Sequence, residues 1–282
     1  MMPSILKCLV VHDLCTYSKS SLTVVIPVLE ALKIEACPIA TAVLSTQTDG
    51  FMGVYKHSLK TETNRILEVL ESEEIKFDGF YSGFILDVDI MNQVEKFLVK
   101  NAENNIFTVI DPVLGDHGSY YPGFNDSQRD KMKDLIRHAD LITPNFTEAL
   151  LLTQKNEKEV EKVGLTEVLY GLRKLSPFSD IVITSIPSNQ ETCKLAFLTK
   201  ENQEGFYTHK RERISLPGSG DFFCSVMVGL MLRKKDFISA VREASLFTGK
   251  AIKMTIEAGF EEKHGICPSL VLSDLSQTEV SN

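Results

Sequence analysis

The residues with the most evident chemical potential form the segment Gly218-Ser219-Gly220-Asp221, which an apolar run at 222–232 follows at once. Two glycines around a small hydroxyl residue allow a tight backbone turn, and the apolar run predicts a buried helix. Free N–H groups at the N-terminus of a helix, aided by the helix dipole, bind phosphate. The segment therefore predicts an anion site.

Asp221 stands at the mouth of this turn, where a carboxylate would repel the anion that the turn attracts. A carboxylate and a bound anion are expected side by side if the site carries out phosphoryl transfer. There a base accepts the proton of a substrate hydroxyl while backbone dipoles hold the charge that grows on the phosphate. The simpler alternative is that Asp221 caps the helix, a common place for aspartate. A short glycine motif alone does not decide between a base and a cap.

Two more carboxylates follow a strand-like run at 106–110. Asp111 is followed by Pro112, which ends the strand, and Asp116 lies in a glycine turn. Two carboxylates near one strand end can hold a hydrated Mg²⁺ that bridges nucleotide phosphates. They can equally be turn formers.

Asn145 and Glu148 lie three residues apart where another helix begins. This spacing is that of a capping box, so both residues can be structural. The same pair can also present an amide and a carboxylate to the water shell of a metal ion. The local pattern favours the cap.

Other polar groups follow predicted strands. His12 and Asp13 come after an apolar run at 5–11, and a turn rich in hydroxyls occupies 45–50. Ligands of parallel sheets gather where strands end and loops begin, so these residues are candidates for ligand contact. A polar loop without a role is the alternative.

Alternating strand and helix patterns between these groups predict a doubly wound α/β sheet. Strands are predicted at 5–11, 36–44, 79–85, 106–110, 140–143 and 180–184, with a hairpin at 194–200 and 205–209. Helices are predicted at 20–33, capped by Ser20 or Ser21, and at 61–74, 89–101, 165–174, 221–233 and 236–257, with another that begins at 145.

Composition and charge exclude several classes of protein. The 282 residues can bury a large core, and the net charge of −8 argues against a protein that holds nucleic acid through its backbone phosphates. Six cysteines without close pairing exclude a zinc knuckle or a Cys-x-x-Cys motif. No signal peptide and no apolar run of membrane-spanning length is found. We expect a cytoplasmic protein with small-molecule partners, bound neither to membranes nor to nucleic acid.

Four motifs stand in a fixed order: Asp-Pro-Val-Leu-Gly-Asp at 111–116, Thr-Pro-Asn-Phe-Thr-Glu at 143–148, Thr-Ser at 184–185 and Gly-Ser-Gly-Asp at 218–221. With Ser-Leu-Thr at 21–23 and Ala-Val-Leu-Ser-Thr-Gln-Thr at 42–48, the chain resembles the pyridoxal kinase branch of the ribokinase superfamily. The resemblance implies a single ribokinase-like α/β domain over 3–272, with a mostly parallel central sheet and helices on both faces. A polar, frayed tail is expected over 273–282.

The resemblance implies ATP-dependent phosphorylation of the 5′-hydroxymethyl group of a vitamin B6 vitamer, namely pyridoxal, pyridoxine or pyridoxamine. Asp221 would be the base, and the amides of Gly218, Ser219 and Gly220 would form the anion hole for the transferred phosphoryl group. The family is also known for homodimers, for Mg²⁺ and for stimulation by a monovalent cation such as K⁺.

The same resemblance implies a nucleotide site. Asp111 and Asp116 would lie beside the ATP phosphates and their cation. Asp116, Asn145 and Glu148 would hold or orient the metal and its water. The residues expected to touch ATP are Thr184 and Ser185.

On the vitamin side, the resemblance places four residues in the ring pocket: His12, Thr48, Phe84 and Tyr121. Three positions depart from the family pattern, because Gln47 stands where His is usual, and Ser18 and Asp49 stand where Gly is usual. The first strand also ends in His12 where Ser or Gln is common. All four departures lie on the substrate side, so they bear on which ring is bound.

Two alternatives stay open. One keeps the fold and the reaction but takes hydroxymethylpyrimidine or a sugar as acceptor; the first loop lacks the Gly-rich opening of pyrimidine kinases, which speaks against it. The other is a non-catalytic binder of B6 or ATP, against which the intact Asp221 motif speaks. A Walker-type P-loop and a Gly-x-Ser-x-Gly hydrolase elbow are both absent from the sequence.

Overall fold

The computed structural model describes residues 5–187, 192–210 and 216–278. Its strands are β1 (Leu6–Tyr17), β2 (Ile34–Thr46), β3 (Lys56–Ser58), β4 (Gly79–Ser82), β5 (Phe107–Ile110), β6 (Gly115–Asp116), β7 (Ser119–Tyr120), β8 (Leu141–Ile142), β9 (Asp180–Pro187), β10 (Thr192–Leu198) and β11 (Glu204–Lys210). Its α-helices are α1 (Leu22–Ala31), α2 (Lys60–Ser72), α3 (Val88–Lys100), α4 (Asp126–Leu135), α5 (Phe146–Thr153), α6 (Glu157–Val163), α7 (Leu165–Leu175), α8 (Ser219–Leu232), α9 (Phe237–Glu257) and α10 (Leu272–Ser276).

Within the described residues, nine strands form one sheet in the order β11-β10-β9-β8-β5-β4-β1-β2-β3, and β6 pairs with β7 in a separate hairpin. The pairs that run from β2 through β1, β4, β5 and β8 to β9 are parallel. Antiparallel strands complete the two edges, β3 on one side and the β10–β11 hairpin on the other. The predicted α/β fold with a mostly parallel sheet is confirmed, as is the hairpin.

Both faces of the sheet are covered, which explains why its central strands are apolar without alternation. Successive strand residues point to opposite faces, so Val109 joins one core and Ile110 the other. Helices α2, α3, α4, α5 and α7 cover the Ile110 face, and α1, α8, α9 and α10 cover the Val109 face. None of the helices in the described ranges is both long enough and apolar enough to cross a membrane.

β1 is longer than the sequence predicts, because it continues past the body of the sheet. Its pairing with β4 ends at Val11, opposite Ser82, whereas its pairing with β2 continues to the end of β1. The register with β2 shifts between His12 and Leu14. His12 and Asp13 therefore lie inside a strand, contrary to the prediction, although they lie where the parallel body of the sheet stops.

Two predictions about the helices differ from the structure. The side chain of Ser21 does not cap α1; this residue has a φ of 55° and its side chain makes no capping hydrogen bond. The stretch 273–282, predicted to fray, is helical as far as Ser276, because the buried Leu275 packs α10 into the core. Residues 279–282 lie outside the described residues.

We expect Phe80→Ala to lower the free energy of unfolding by about 3–5 kcal/mol, since it removes a buried ring from the centre of the sheet. Phe80 is 1% exposed and stacks on Phe97 with ring centroids 6.2 Å apart. Urea denaturation measures the loss. The matched control is Val99→Ala on the exposed side of α3, which should change the free energy by about 0.5 kcal/mol or less. Equal effects at the two positions would contradict this packing.

Candidate active site

A cavity of about 470 Å³ opens at the carboxyl ends of the parallel strands. Such an edge is where open α/β sheets place their ligands, because the loops that follow the strands are free to carry polar groups. Each residue that the sequence suggests as a base, anion-hole, nucleotide, metal or ring-pocket residue lines this cavity. Segments that are up to 209 positions apart in the sequence thus meet at one site.

The turn before α8 is fixed by contacts with two distant segments. Gly218 has a φ of 80°, and a Cβ atom there would lie 2.5 Å from the carbonyl oxygen of Lys19. The amide of Lys19 donates to the carbonyl of His264 at 2.7 Å, and the amide of Ile266 donates to the carbonyl of Pro217 at 2.9 Å. Only glycine combines this backbone conformation with such a close approach.

The first turn of α8 offers free amides to the cavity. The amide of Ser219 already donates to the carbonyl of Leu216 at 3.1 Å. In the part of the chain that the structure describes, the amides of Gly220 and Asp221 have no protein acceptor. Unpaired amides at the start of a helix attract an anion, and the helix dipole adds to the attraction.

Asp221 is not the cap of α8. Gly218 occupies the cap position without a side-chain bond, and Asp221 lies in the first turn with its carboxylate turned towards the cavity. Its Oδ1 lies 3.0 Å from Nε2 of His12, and its Oδ2 accepts the amide of Ser21 at 2.6 Å. Burial would raise the pKa of Asp221, but the charge and hydrogen bond of His12 and the amide of Ser21 lower it below its usual value.

His12 lies between two carboxylates. Its Nδ1 lies 2.9 Å from Oδ1 of Asp13 and its Nε2 lies 3.0 Å from Asp221, while the side chain is 1% exposed. Burial lowers the pKa of His12, but Asp221 and Asp13 outweigh this effect and raise it to about 10. This shift favours an imidazolium at neutral pH, in which both nitrogens donate to carboxyl groups, although the backbone amide of Asp13 also lies 3.0 Å from Nδ1. Neither nitrogen is left over for a ligand ring.

Asp111 and Glu148 form an acidic group on the other side of the cavity. Burial and the charge of Asp221 raise the pKa of Asp111 to about 7, although His12 and the hydroxyl of Thr143 act in the opposite direction. Burial and Asp111 raise the pKa of Glu148 well above its usual value. The carboxyl groups are close enough that each disfavours ionisation of the other, so a cation bound between them would stabilise both charges.

Asn145 and Glu148 form the capping box of α5. The side chain of Asn145 accepts the amide of Glu148, and Glu148 accepts the amide of Asn145 through Oε2. They also reach the loop after β5, because Glu148 Oε1 accepts the amide of Leu114 and Asn145 donates to the carbonyl of Gly115. The cap alternative is thus confirmed, and the same bonds fix both side chains beside Asp111 and Asp116.

The donor set of the cavity suits a hydrated divalent cation. Asp111, Asp116 and Glu148 contribute carboxylates, whereas no lysine or arginine of the described residues lines the cavity. No group of three or more His, Cys, Asp or Glu within the described ranges is arranged to hold a metal ion by itself. Mg²⁺ is commonly bound by one or two carboxylates together with water and substrate phosphates. These residues fit that mode of binding.

Two aromatic residues, Phe84 and Tyr121, also line the cavity. Phe84 packs edge-to-face against Phe124 with ring centroids 5.1 Å apart, and its carbonyl accepts the hydroxyl of Thr41. The backbone of Tyr121 is tied to Leu114 by a hydrogen bond of 3.0 Å. These contacts hold the ring of Phe84 and the backbone of Tyr121 in place.

The departures from the family pattern have structural explanations. Gln47 does not offer its side-chain amide to a ligand: its Oε1 accepts the amide of Asp49 at 2.5 Å, and its Nε2 donates to the carbonyls of Asp49 and Lys263. Ser18 has a φ of 72°, a backbone conformation that favours glycine. Its hydroxyl accepts the amide of Gln47, which ties the two positions together.

Thr184 and Ser185 lie within β9, on the side of the cavity next to Asn145. The amide of Thr184 donates to the carbonyl of Pro144 at 2.9 Å, and Ser185 has a φ of 56°. This backbone bond holds β9 against the start of α5, so both residues border the acidic group.

Sequence reasoning gave no specific site role to Asp13 or Ser21. Adjacent strand residues normally point to opposite faces, so a bond between His12 and Asp13 is not expected from their spacing. The irregular register between His12 and Leu14 coincides with this bond. A positive φ at a serine before a helix, as at Ser21, has no sequence signature.

The chain matches the family model described as phosphomethylpyrimidine kinase over residues 26–268. A protein from Bacteroides thetaiotaomicron, provisionally called a phosphomethylpyrimidine kinase and crystallised with pyridoxal, is 30% identical, with a TM-score of 0.89 over 97% of this chain and 96% of that chain. Pyridoxal kinase from Lactobacillus plantarum is 26% identical, with a TM-score of 0.87 over 96% of this chain and 97% of that chain.

A hydroxymethylpyrimidine/phosphomethylpyrimidine kinase of Staphylococcus aureus is 23% identical over 178 residues. That alignment covers 63% of this chain and 63% of the relative, so it spans less than two thirds of the curated protein. The solved structures confirm the ribokinase-like fold over nearly the whole chain, and they include pyridoxal kinases. Because the family model covers residues 26–268, the chain belongs to the phosphomethylpyrimidine kinase family.

Proposed function

We propose that this chain transfers the γ-phosphoryl group of ATP to the 5′-hydroxymethyl group of pyridoxal, pyridoxine or pyridoxamine. The observation that carries the proposal is a largely buried carboxyl group of lowered pKa, Asp221, beside amides at the start of α8 that have no acceptor among the described residues. A base next to an anion site is the arrangement that phosphorylation of an alcohol needs. Similarity to a protein crystallised with pyridoxal supports a B6 vitamer as the acceptor.

In the proposed reaction, the hydroxyl oxygen of the acceptor bonds to the γ-phosphorus and its proton passes to the carboxylate of Asp221. The bond from the γ-phosphorus to the bridging oxygen breaks, and ADP leaves with that electron pair. The amides of Gly220 and Asp221 donate to the phosphoryl oxygens, where they stabilise the transferred group without any reorganisation. Gly218 and Ser219 shape the turn that aims these amides.

The nucleotide is proposed to lie along the acidic side of the cavity, where Thr184 and Ser185 border it. Mg²⁺, when bound with ATP, neutralises phosphate charge. Asp111 and Asp116 lie where they can face the phosphates and this cation. Asn145 and Glu148, fixed by their capping box, orient water around it.

The acceptor is proposed to lie against the aromatic residues that line the cavity. Phe84 and Tyr121 offer aromatic surface to a ring, and Thr48 offers a hydroxyl. His12 lines the cavity too, but its nitrogens are bonded to Asp13 and Asp221, so its contact with the acceptor is limited to the face or edge of the ring.

Hydroxymethylpyrimidine is the second candidate acceptor. The family model and the Staphylococcus aureus relative favour it, and it offers the same hydroxymethyl group to Asp221. The kinase domain is proposed to span 3–272 and to pair as a homodimer, with a monovalent cation such as K⁺ as activator. These last properties rest on the resemblance to pyridoxal kinases.

We expect Asp221→Asn to lower kcat by about 10² to 10⁴-fold, the range for losing a positioned base. ATP affinity should change little, because the amides of α8 remain. The assay measures ADP release with Mg²⁺ and ATP in the presence of pyridoxal, pyridoxine, pyridoxamine or hydroxymethylpyrimidine, and calorimetry measures ATP binding. The control is Asp130→Asn, an exposed carboxylate on α4 that does not line the cavity. Unchanged turnover in Asp221→Asn would remove it from the role of base.

The two glycines of the turn should respond differently to alanine. Gly218→Ala meets the carbonyl of Lys19 at a positive φ, so we expect a loss of about 1 kcal/mol or more in the free energy of unfolding. Gly220→Ala meets no protein atom within 4 Å and should fold normally, but its methyl group would crowd the phosphate and raise KM for ATP. Thermal denaturation and ADP release distinguish the two. A normal KM in Gly220→Ala would argue against an anion at this turn.

Asp111 should make the ligand-free protein less stable as pH rises. The pKa of Asp111 is raised to about 7 in the folded protein, so its protonated form stabilises the fold, fully so below the usual pKa of aspartate. This contribution to the free energy of unfolding is lost as the pH rises to about 7. Asp111→Asn should remove this dependence and be more stable than the wild type at pH 8. Urea denaturation at pH 5, 6, 7 and 8 without divalent cations measures the difference. A wild-type advantage that grows with pH would have the wrong sign.

A further inference from the structure

We propose that His12 is a positioning residue for Asp221: clamped by Asp13 on one side, it aims the carboxylate and supplies the positive charge that keeps it ionised. The inference rests on the proposed function, because it concerns how the base of that reaction is prepared. The role proposed for His12 and Asp13 is to position Asp221, which differs from contact with the acceptor ring.

The geometry is that of a three-membered chain, Asp13–His12–Asp221. The distances from the imidazole nitrogens to the two carboxylates are 2.9 and 3.0 Å. His12 and Asp13 are almost wholly buried, whereas the side chain of Asp221 is 12% exposed. All three residues line the cavity, and the side chain of Asp221 is the most exposed of them.

The imidazole of His12 fits beside Asp221 because residue 83 is glycine and has no side chain. A Cβ atom on Gly83 would lie 2.0 Å from Nε2 of His12, and the amide of Gly83 donates to the carbonyl of Val11 at 3.1 Å. Gly83 follows the last residue of β4, where the pairing with β1 stops. Any side chain at Gly83 would push the ring of His12 away from Asp221.

A second donor fixes the other oxygen of the carboxylate. The amide of Ser21 reaches Oδ2 of Asp221 at 2.6 Å, and Ser21 has a φ of 55°. Both oxygens of the Asp221 carboxylate thus accept a hydrogen bond, one from the backbone amide of Ser21 at the start of α1 and one from the imidazole of His12 on β1. Its remaining lone pairs are available to the substrate hydroxyl.

Charge supports the same assignment. The titratable groups that face His12 and Asp221 are Asp13 and Cys15 from β1, Tyr81 from β4, Asp111 after β5, Tyr121 after β7 and Cys224 from α8. Burial raises the pKa of both thiols and of both phenols, so these four are neutral near pH 7. His12 is therefore the cation that faces the remaining carboxylates among the described residues. Without it, Asp221 would be a buried carboxylate with Asp111 nearby, and its proton affinity would rise.

The first test does not depend on activity. In protein with ¹³C-labelled histidine rings, the resonance of His12 is identified by its loss in His12→Gln. We expect this ring to stay doubly protonated up to pH 8.5 in the wild type. Asp221→Asn should lower its apparent pKa by about 1 to 3 units, the effect of an adjacent opposite charge. A wild-type ring that titrates near the ordinary value of about 6.5 overturns the proposal.

The second test is the pH profile of kcat in two variants. His12→Gln can keep a donor towards Asp221 but loses the charge, and His12→Asn can reach Asp13 but not Asp221. We expect the acid limb of both profiles to move to higher pH by about 1 to 3 units, with the larger loss of plateau kcat in His12→Asn. A purely structural role would lower kcat equally at each pH, and that result overturns the proposal.

Gly83→Ala serves if the His12 variants fold poorly. It should move the acid limb in the same direction, since its methyl group displaces the imidazole from Asp221. The matched control is His57→Gln on β3, an exposed histidine outside the cavity, whose profile should follow the wild type. If the wild type phosphorylates none of the four acceptors, the proposed function fails, while the histidine titration still decides the inference.

Discussion

The arrangement of the site depends on the bond between Asp221 and His12. Asp221 joins α8 to β1 through this bond, and it joins α8 to the start of α1 through the amide of Ser21. A carboxylate this deeply buried is stable only when its charge is met by donors or an opposite charge. Because His12 supplies both, the anion turn of α8 and the first strand of the sheet are held in one fixed relation.

The cavity is divided by charge rather than by shape alone. One side holds Asp13, His12 and Asp221, where the imidazole of His12 lies between two carboxyl groups. The other side holds Asp111 and Glu148, whose pKa values are raised by burial and by neighbouring carboxyl groups. On the first side an imidazole lies beside the carboxyl groups, whereas on the second side buried carboxyl groups lie close together. This arrangement agrees with the proposed site for a metal-bound nucleotide next to a neutral alcohol.

Much of the fold follows from local patterns, because apolar runs such as 106–110 and caps such as Asn145 act over a few residues. The Gly218–Asp221 motif likewise predicts the turn and the helix that the structure contains. Contacts across the chain are different: nothing near Asp221 in the sequence indicates His12 or Ser21 as partners. The length of β1 was underestimated for the same reason, since its extension depends on pairing with β2 rather than on its own composition.

The contacts around Lys19 have a consequence for how the sequence of this protein can vary. Its carbonyl lies against both Gly218 and Gly265, so three segments meet there with no room for an added atom. Insertions or deletions are consequently excluded from the short loop that follows β1, in which Ser18, Ser20 and Ser21 are buried. The loop around Met52 and Gly53 is the opposite case, because Met52 is fully exposed and a Cβ on Gly53 meets nothing within 4 Å. Length variation among relatives should therefore accumulate in the second loop and spare the first.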